Sequence, residues 1–514
     1  MAQADIPMAY TWGQALGGSG NDLVAATAAD SNGNVFVAGG FAGTAQFGST
    51  NLTATGAKDL FVAKLDPTGG VSWVRQVRGT QFIQPTALVV DSSGLLYLCG
   101  FFTGSATFGN TTLNSQNGND GFVAKLAGDG SLVWVDRVSG ASDDFANGVQ
   151  AGSAGQVYLT GAFVSSTSVY PGASTTPGAT LTDTNGGAQA AFLIEFASDG
   201  GVTWARSFGG SQFVSAQALA LGTNGELYVC GRFTGAAIIG TNVLTSAGDY
   251  DAFLARFAAN GTPAWAQNFG GSAYDFAQGV TVSTNGQICV VGGFSGSAQF
   301  GPTNVNLTDP NGFFLAALAP DGTVQWVQAA TNSSGQCVTA GPGGLIYAGG
   351  NYYAGGTALG GFTIAPGGSS TGWFATAVSS NGIPQTLIDL NTSGNPVGFS
   401  LSAVAGGGLI AGGNFAGALT VLGHQLNGVS AGSGSDGFVV RLDPVPFLVA
   451  AEVADSGVRL SWPSVFSNVT VQSNQNLGTA GVWNDVNTTP TVSGAQTFVT
   501  LPTQGSQSFF RLKR

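Results

Sequence analysis

Six tryptophans mark off nearly equal lengths of this chain. Trp12, Trp73, Trp134, Trp204, Trp265 and Trp326 are separated by 61, 61, 70, 61 and 61 residues. A fixed period of this size restricts the fold to architectures in which one supersecondary unit is copied and each copy buries its apolar face on the next. Other features keep the same phase. Residues 61–65 read FVAKL, 122–126 FVAKL, 253–257 FLARF, 314–318 FLAAL and 438–442 FVVRL. Upstream of these lie VFVAGGF at 35–41, LYLCGF at 96–101, LYVCGRF at 227–233 and ICVVGGF at 288–294. A sixth copy keeps LIYAGG at 345–350, and a degenerate seventh, residues 391–443, keeps LIAGGNF at 409–415; both lack the tryptophan motif.

Each copy reads as four short strands rich in Val, Phe, Tyr and Trp between Gly, Asn and Asp turns. In the first copy these are LVAATAAD at 23–30, VFVAGGF at 35–41, LFVAKLD at 60–66 and VSWVRQV at 71–77, here named strands a to d. The turns SNGN and PTGG separate a from b and c from d, and a polar loop carrying Phe47-Gly48 separates b from c. Four strands repeated seven times predict an all-β, seven-bladed β-propeller over residues 1–445. The chain opens on a strand-d motif, YTWGQAL at 10–16, while the seventh copy ends with strand c at 441–443. The first motif should therefore complete the seventh blade beside 437–443, leaving no unpaired edge there. The third copy is 9 residues longer, and the excess falls in a Ser/Thr/Gly/Pro-rich loop at 164–187. After a stiff DPVP linker at 443–446, VRLSWP (458–463), NVTVQS (468–473), VWNDV (482–486), TFVTLP (497–502) and SFFRLKR (508–514) predict a small β-sandwich over 446–514.

Composition excludes several functions. Gly is 83 of 514 residues but shows no Gly-X-Y period, so the chain is not collagen. Hydrophobic residues, at 43%, suffice for a core. Asp and Glu outnumber Lys and Arg by 26 to 14, giving −12. A chain this acidic lacks the basic surface that nucleic acid requires, and an anionic bilayer repels it. No apolar run of about 18 residues is present, so membrane insertion is not expected. Cys99, Cys230, Cys289 and Cys337 fit no zinc spacing and read as small buried hydrophobes.

The repeat resembles the bacterial SBBP-type β-propeller repeat. Its pattern of GG-x-x-x-D, D-x-x-G-N-x-Y-V-x-G, D-x-F-V-x-K-L-D and a closing W is similar to residues 17–73, and the likeness covers residues 10–443, with copies six and seven departing most. The C-terminal segment, with LSWP near its start and FFRL at its end, resembles short β-modules of secreted bacterial proteins. The resemblance implies a secreted or cell-surface protein with a binding role and no cofactor. The first residues, MAQADIPMAYTW, have neither a basic nor an apolar leader region. Two readings remain, a cytoplasmic protein or an exported one whose leader was replaced by a start Met, and the resemblance favours the second as the expectation.

Carboxylates are the one enriched chemistry. Asp22, Asp144 and Asp275 share a repeat position before strand a, with Asp143 and Tyr274 preceding two of them. Just inside, Ala25, Thr86, Asn147, Gln217 and Gln278 align, followed by Ala or Gly. One reading is a polar, acidic funnel around a central channel, with Asp22, Asp143, Asp144, Tyr274, Asp275, Gln217 and Gln278 as binding residues for a protein or glycan ligand. The other is that Asp caps turns while Asn and Gln satisfy channel backbone groups. Asp59, Asp120, Asp251 and Asp436 recur before strand c, and Asp30 and Asp91 before the a–b turn. Calcium is the ion such oxygens would suit, although the EF-hand spacing is absent. Phe82, Phe213 and Tyr274 are aromatic candidates for stacking on sugars. His424 is the sole histidine, and no G-x-S-x-G elbow accompanies it. The function expected is a non-enzymatic binding or scaffold protein. The alternatives are a secreted carbohydrate-active enzyme using an acid pair such as Asp143 and Asp144, and a structural subunit of a surface assembly.

Overall fold

A computed structural model describes residues 6–513, apart from 308, 366–370, 393–397, 430–433, 446–449, 455–456, 464–468, 475–482, 494–495 and 502–508. The described chain divides into two compact units, Tyr10–Asp443, and Pro444–Arg514 together with Met1–Ala9. The first is all-β, with antiparallel sheets arranged as in a β-propeller. Sheet 1 contains Leu23–Ala29, Val35–Phe41, Asp59–Leu65 and Val71–Gly79 as strands a to d, and the same order recurs through seven sheets. Strand a of each sheet packs on strand a of the next, and that of sheet 7, Phe399–Ala403, packs on that of sheet 1. Thr27 joins these two, its N–H donating to Ser400 Oγ at 3.0 Å and its carbonyl accepting from Ser402 Oγ at 2.7 Å.

The core lies between sheets. Strand b of sheet 1 is buried at every residue, because its side chains alternate between two neighbouring sheets. Phe36 and Ala38 join Leu96, Leu98 and Phe122 of sheet 2, whereas Val35 and Val37 join Trp12, Leu16 and Val439 of sheet 7. Burial on both faces explains why VFVAGGF and LFVA are apolar without interruption, and the one charged residue that follows, Lys64, is only partly buried.

Five of the six repeat tryptophans, all but Trp204, tie one sheet to the next by a hydrogen bond. The Trp73 indole N–H donates to Gly128 O of the next c–d turn at 3.2 Å; Trp12 reaches Pro67 O, Trp134 Ser198 O, Trp265 Pro320 O and Trp326 Ser380 O in the same way. The ring of Trp12 lies against Gly69, whose φ of +89° is left-handed and where a Cβ would come within 2.7 Å of the indole. Sheet 6 ends on Pro384–Thr392, which has no tryptophan. Its neighbour, sheet 7, has no c–d turn to receive an indole, because strand c, Asp436–Pro444, lies beside Met8–Gly18 from the other end of the chain.

The b–c segment differs from the expected loop. It folds into a hairpin, Thr44–Phe47 and Thr50–Thr53 in sheet 1, and the hairpin pairs with strand d of the preceding sheet. Gly17 and Gly18 face Gln46 and Ala45, and the equivalent hairpin of sheet 2 places Ala106 and Thr107 opposite Gly79 and Arg78. Five sheets thereby gain two strands. The insertion at 164–187 is likewise ordered, as Ser166–Pro171 and Ala179–Thr182, and runs opposite strand d of sheet 2 from Asp136–Pro171 to Gly140–Thr167.

In the second unit, Ala450–Ala454, Gly457–Pro463, Gln496–Leu501 and Thr491–Ser493 form one antiparallel sheet, and Asn484–Asp485, Thr470–Asn474 and Phe509–Lys513 another. Leu460, Trp462, Val471, Val499 and Leu501 share one core. The first and the Thr491 strand were not among those expected. Residue 446 of the linker and the expected strand ends at 468, 482, 502, 508 and 514 lie outside the described residues.

Two outcomes follow. Trp73→Phe keeps the ring but leaves the Gly128 carbonyl without its donor, and chemical denaturation should show a loss of about 1 kcal/mol. Deleting residues 6–18 strips strand c of sheet 7 of its neighbour and should lower the melting temperature sharply; an unchanged melt would contradict this closure.

Candidate functional site

The six strands a from sheets 1 to 6 share one irregularity. Their pairing to strand b slips by one residue at the same repeat position: Val24/Ala26, Pro85/Ala87, Ala146/Gly148, Ala216/Ala218, Ala277/Gly279 and Gly335/Cys337. The residue left over is Ala25, Thr86, Asn147, Gln217, Gln278 or Gln336. A β-bulge re-aims the side chain of its extra residue, and all six line a central cavity of about 610 Å³. Strand a of sheet 7 pairs in regular register and supplies Ser400. The small residue after each bulge lets the strands converge: a Cβ at Gly148 would sit 3.2 Å from the Ala218 backbone.

Hydrogen bonds step round the cavity wall. Thr86 Oγ1 donates to Ala146 O at 2.7 Å and Asn147 Nδ2 to Ala216 O at 2.8 Å, each reaching the next sheet. Gln217 Nε2 turns to Ser215 Oγ at 2.9 Å, and Gln336 Nε2 to Asn351 Oδ1 at 3.3 Å. Phe82 and Phe101 also line the cavity, with ring centroids 6.0 Å apart and Phe145 edge-on to Phe101. The lining residues are hydroxyl, amide, aliphatic and aromatic, with no ionisable group but the partly buried thiol of Cys337. The structure thus brings Gln217 and Gln278 together. Gln336, Ser400 and Phe101 belong with them and escaped the sequence reading. The signal was present as a polar residue beside a small one that interrupts the strand's alternation.

The acidic residues lie elsewhere. Asp22, Asp144 and Asp275 are each about 1% exposed, so they form no open acidic mouth. Asp22 accepts from the Gly18 and Ala42 N–H groups at 2.7 and 2.9 Å, and Asp275 from Gly271 and Ser295 at 2.6 and 3.1 Å. These bonds hold the d–a loop to the end of strand b. Each carboxylate also has a like-charged neighbour at the start of a strand c: Asp436 for Asp22, Asp120 for Asp144 and Asp251 for Asp275. Asp59, the counterpart of these neighbours in sheet 1, faces Ile83 across Gly79 instead, and accepts from Thr55 N, Gln76 Nε2 and Gly79 N. Asp143 is exposed and accepts from Asn119 N at 2.8 Å, so the adjacent acids occupy different surroundings. Tyr274 packs on Tyr250 and Phe276, with its hydroxyl accepting from Arg232, whose guanidinium also lies over Phe213. Among the described residues no three His, Cys, Asp or Glu side chains gather as a metal site. His424 is exposed on an outer hairpin and stacks on Tyr10 at 4.4 Å. The four cysteines are unpaired thiols, three of them buried.

Burial, partly offset by hydrogen bonds, pushes the carboxyls up: Asp22, Asp120 and Asp275 to about 6 and Asp144 to about 8. These values exceed the unfolded value of about 3.9, so the native state binds more protons between them. The resulting stabilisation is complete in acid and is lost as pH rises through 6 to 8. The melting temperature should therefore be higher at pH 5 than at pH 8.5, and Asp144→Asn should narrow that difference. A melting temperature that rises with pH over this range would contradict the assignment.

No family model matches the chain. A curated relative, the regulatory protein FlaEY of Caulobacter vibrioides, is 30% identical over 206 residues, which is 35% of this chain and 21% of that protein. The chain thus spans about a fifth of the length of that relative. Among solved structures, a quinohemoprotein alcohol dehydrogenase from Comamonas testosteroni aligns over 87% of this chain and 79% of its own at 11% identity and a TM-score of 0.41. A protein of unknown function from Dyadobacter fermentans aligns over 85% and 99% at 9% identity and 0.38, and the Neurospora crassa Pan2 WD40 domain over 68% and 93% at 12% and 0.31. These likenesses are too distant to carry a function to this chain.

Proposed function

We propose that this chain is a seven-bladed propeller of the SBBP type with a C-terminal β-sandwich module, and that it is an exported, non-enzymatic binding protein whose site is the central cavity. One observation carries the reading: a β-bulge at the same position in six strands turns five hydroxyl or amide side chains and Ala25 into one space. Amides and hydroxyls each donate and accept, and aromatic rings offer flat apolar faces, a combination that suits the hydroxyls and ring faces of a neutral sugar. Secretion or surface location rests on the resemblance of the repeat.

The test is a glycan array followed by titration calorimetry on any neutral oligosaccharide that binds. Gln217→Ala with Gln278→Ala should weaken binding by about tenfold or more, as expected for lost hydrogen bonds in a desolvated site, with the melting temperature unchanged. Binding that survives this double variant would place the site outside the cavity.

A further inference from the structure

The repeat supplies its own control for a second site. Two residues after each tryptophan, strand d carries Gln14, Arg75, Asp136, Arg206, Gln267 and Gln328. Four of these donate to a carbonyl of the next c–d turn: Arg75 Nη2 to Asp129 O at 2.8 Å, Arg206 Nη2 to Asn260 O at 3.5 Å, Gln267 Nε2 to Gly322 O at 2.9 Å and Gln328 Nε2 to Gly382 O at 2.8 Å. The arginines also lie over their own tryptophans, 5.4 Å from the Trp73 ring and 5.6 Å from Trp204. Sheet 2 breaks the rule. There the residue is Asp136, an acceptor facing a turn that presents acceptors.

Asp136 is 3% exposed. One of its oxygens takes the Gly172 N–H at 3.1 Å, while Oδ2 is buried without a hydrogen-bond partner. Burial pushes its carboxyl up to about 7. A cavity of about 380 Å³ opens at this point, lined by Trp134, Asp136, Pro171, Gly172 and the Asp199–Gly201 turn. Pro171 and Gly172 belong to the hairpin that the extra residues of the third copy enlarge. The two departures from the repeat, the acid and the insertion, therefore meet in one place.

We propose that this cavity binds a guanidinium group from outside the chain, in the place that Arg75 and Arg206 fill from within. The planar cation would lie over Trp134, donate to the 197–201 turn as Arg75 does to its own turn, and donate to the Asp136 carboxylate. The chemistry is common to a free guanidino compound and to an arginine side chain of a partner.

Calorimetry of the full chain tests this with N-butylguanidine, its neutral isostere N-butylurea and a blocked arginine-containing peptide. Butylguanidine should saturate one site and butylurea should not. Tighter binding of the peptide assigns the site to a partner's arginine, and equal binding to a small guanidino compound. Asp136→Asn removes the charge and should weaken butylguanidine by about tenfold or more. Asp136→Arg introduces the residue of sheets 1 and 3, fills the cavity, and should abolish binding while raising the melting temperature. Absence of saturable binding by the native chain, or undiminished affinity in Asp136→Arg, overturns the proposal. Should Asp136→Arg fail to fold, undiminished affinity in Asp136→Asn overturns it equally.

Discussion

The strand-d indole that donates to the c–d turn of the following sheet, as five of the six repeat tryptophans do, is the contact on which the order of this molecule depends. It sets the period, since the donor and its carbonyl lie 54 to 64 residues apart. It also dictates composition at a distance, because a turn that lies flat on an indole needs a left-handed residue without a Cβ. Periodic tryptophan and periodic glycine are one constraint seen from two sheets. The rule even accounts for its exception, as strand d of sheet 6 lacks tryptophan where the neighbouring turn does not exist.

Much of this could be read from the sequence, and what could not has physical causes. Strands b and c were legible because burial on both faces leaves them largely apolar, with Lys64 and its counterparts near the end of strand c as the main exception. The hairpins were not, since strands of four residues such as TAQF and TNLT carry too little pattern to separate pairing from a polar loop, and their partner lies in another repeat. The acids misled for a related reason. Charge is normally a surface signal, yet Asp22 and Asp275 are buried as acceptors for backbone N–H groups that would otherwise go unpaired. Gln217 and Gln278 line the cavity, and the bulge that turns them inward became visible only with the strand register.

Repetition and function pull against each other here. A strict repeat would give identical seams and a channel lined by one residue type. Instead the bulge position varies from Ala25 through Thr86 to Gln336 while the backbone around it stays constant. The structure keeps the parts that carry load between sheets, the indole, the turn glycine and the strand-c pairing, and varies those that line the cavity or meet solvent. Sheet 2 varies in both respects, with Phe101 at the cavity and Asp136 on its outer strand.

The pairing of Met8–Gly18 beside Asp436–Pro444 has a consequence in time. The ribosome releases the first of these strands more than four hundred residues before the second. Through that interval Trp12 and Leu16, buried in the finished molecule, have only part of their final surroundings. Hairpin Thr44–Thr53 can pair with the early strand along one edge, because it emerges within seconds at ordinary synthesis rates of about 5–20 residues per second. The other edge stays open until the last copy is made. An exposed strand edge is a template for pairing with another chain, so the nascent protein is most vulnerable to exchanging its first strand with a neighbour on the same polysome, and its folding rate should be governed by this one long-range closure.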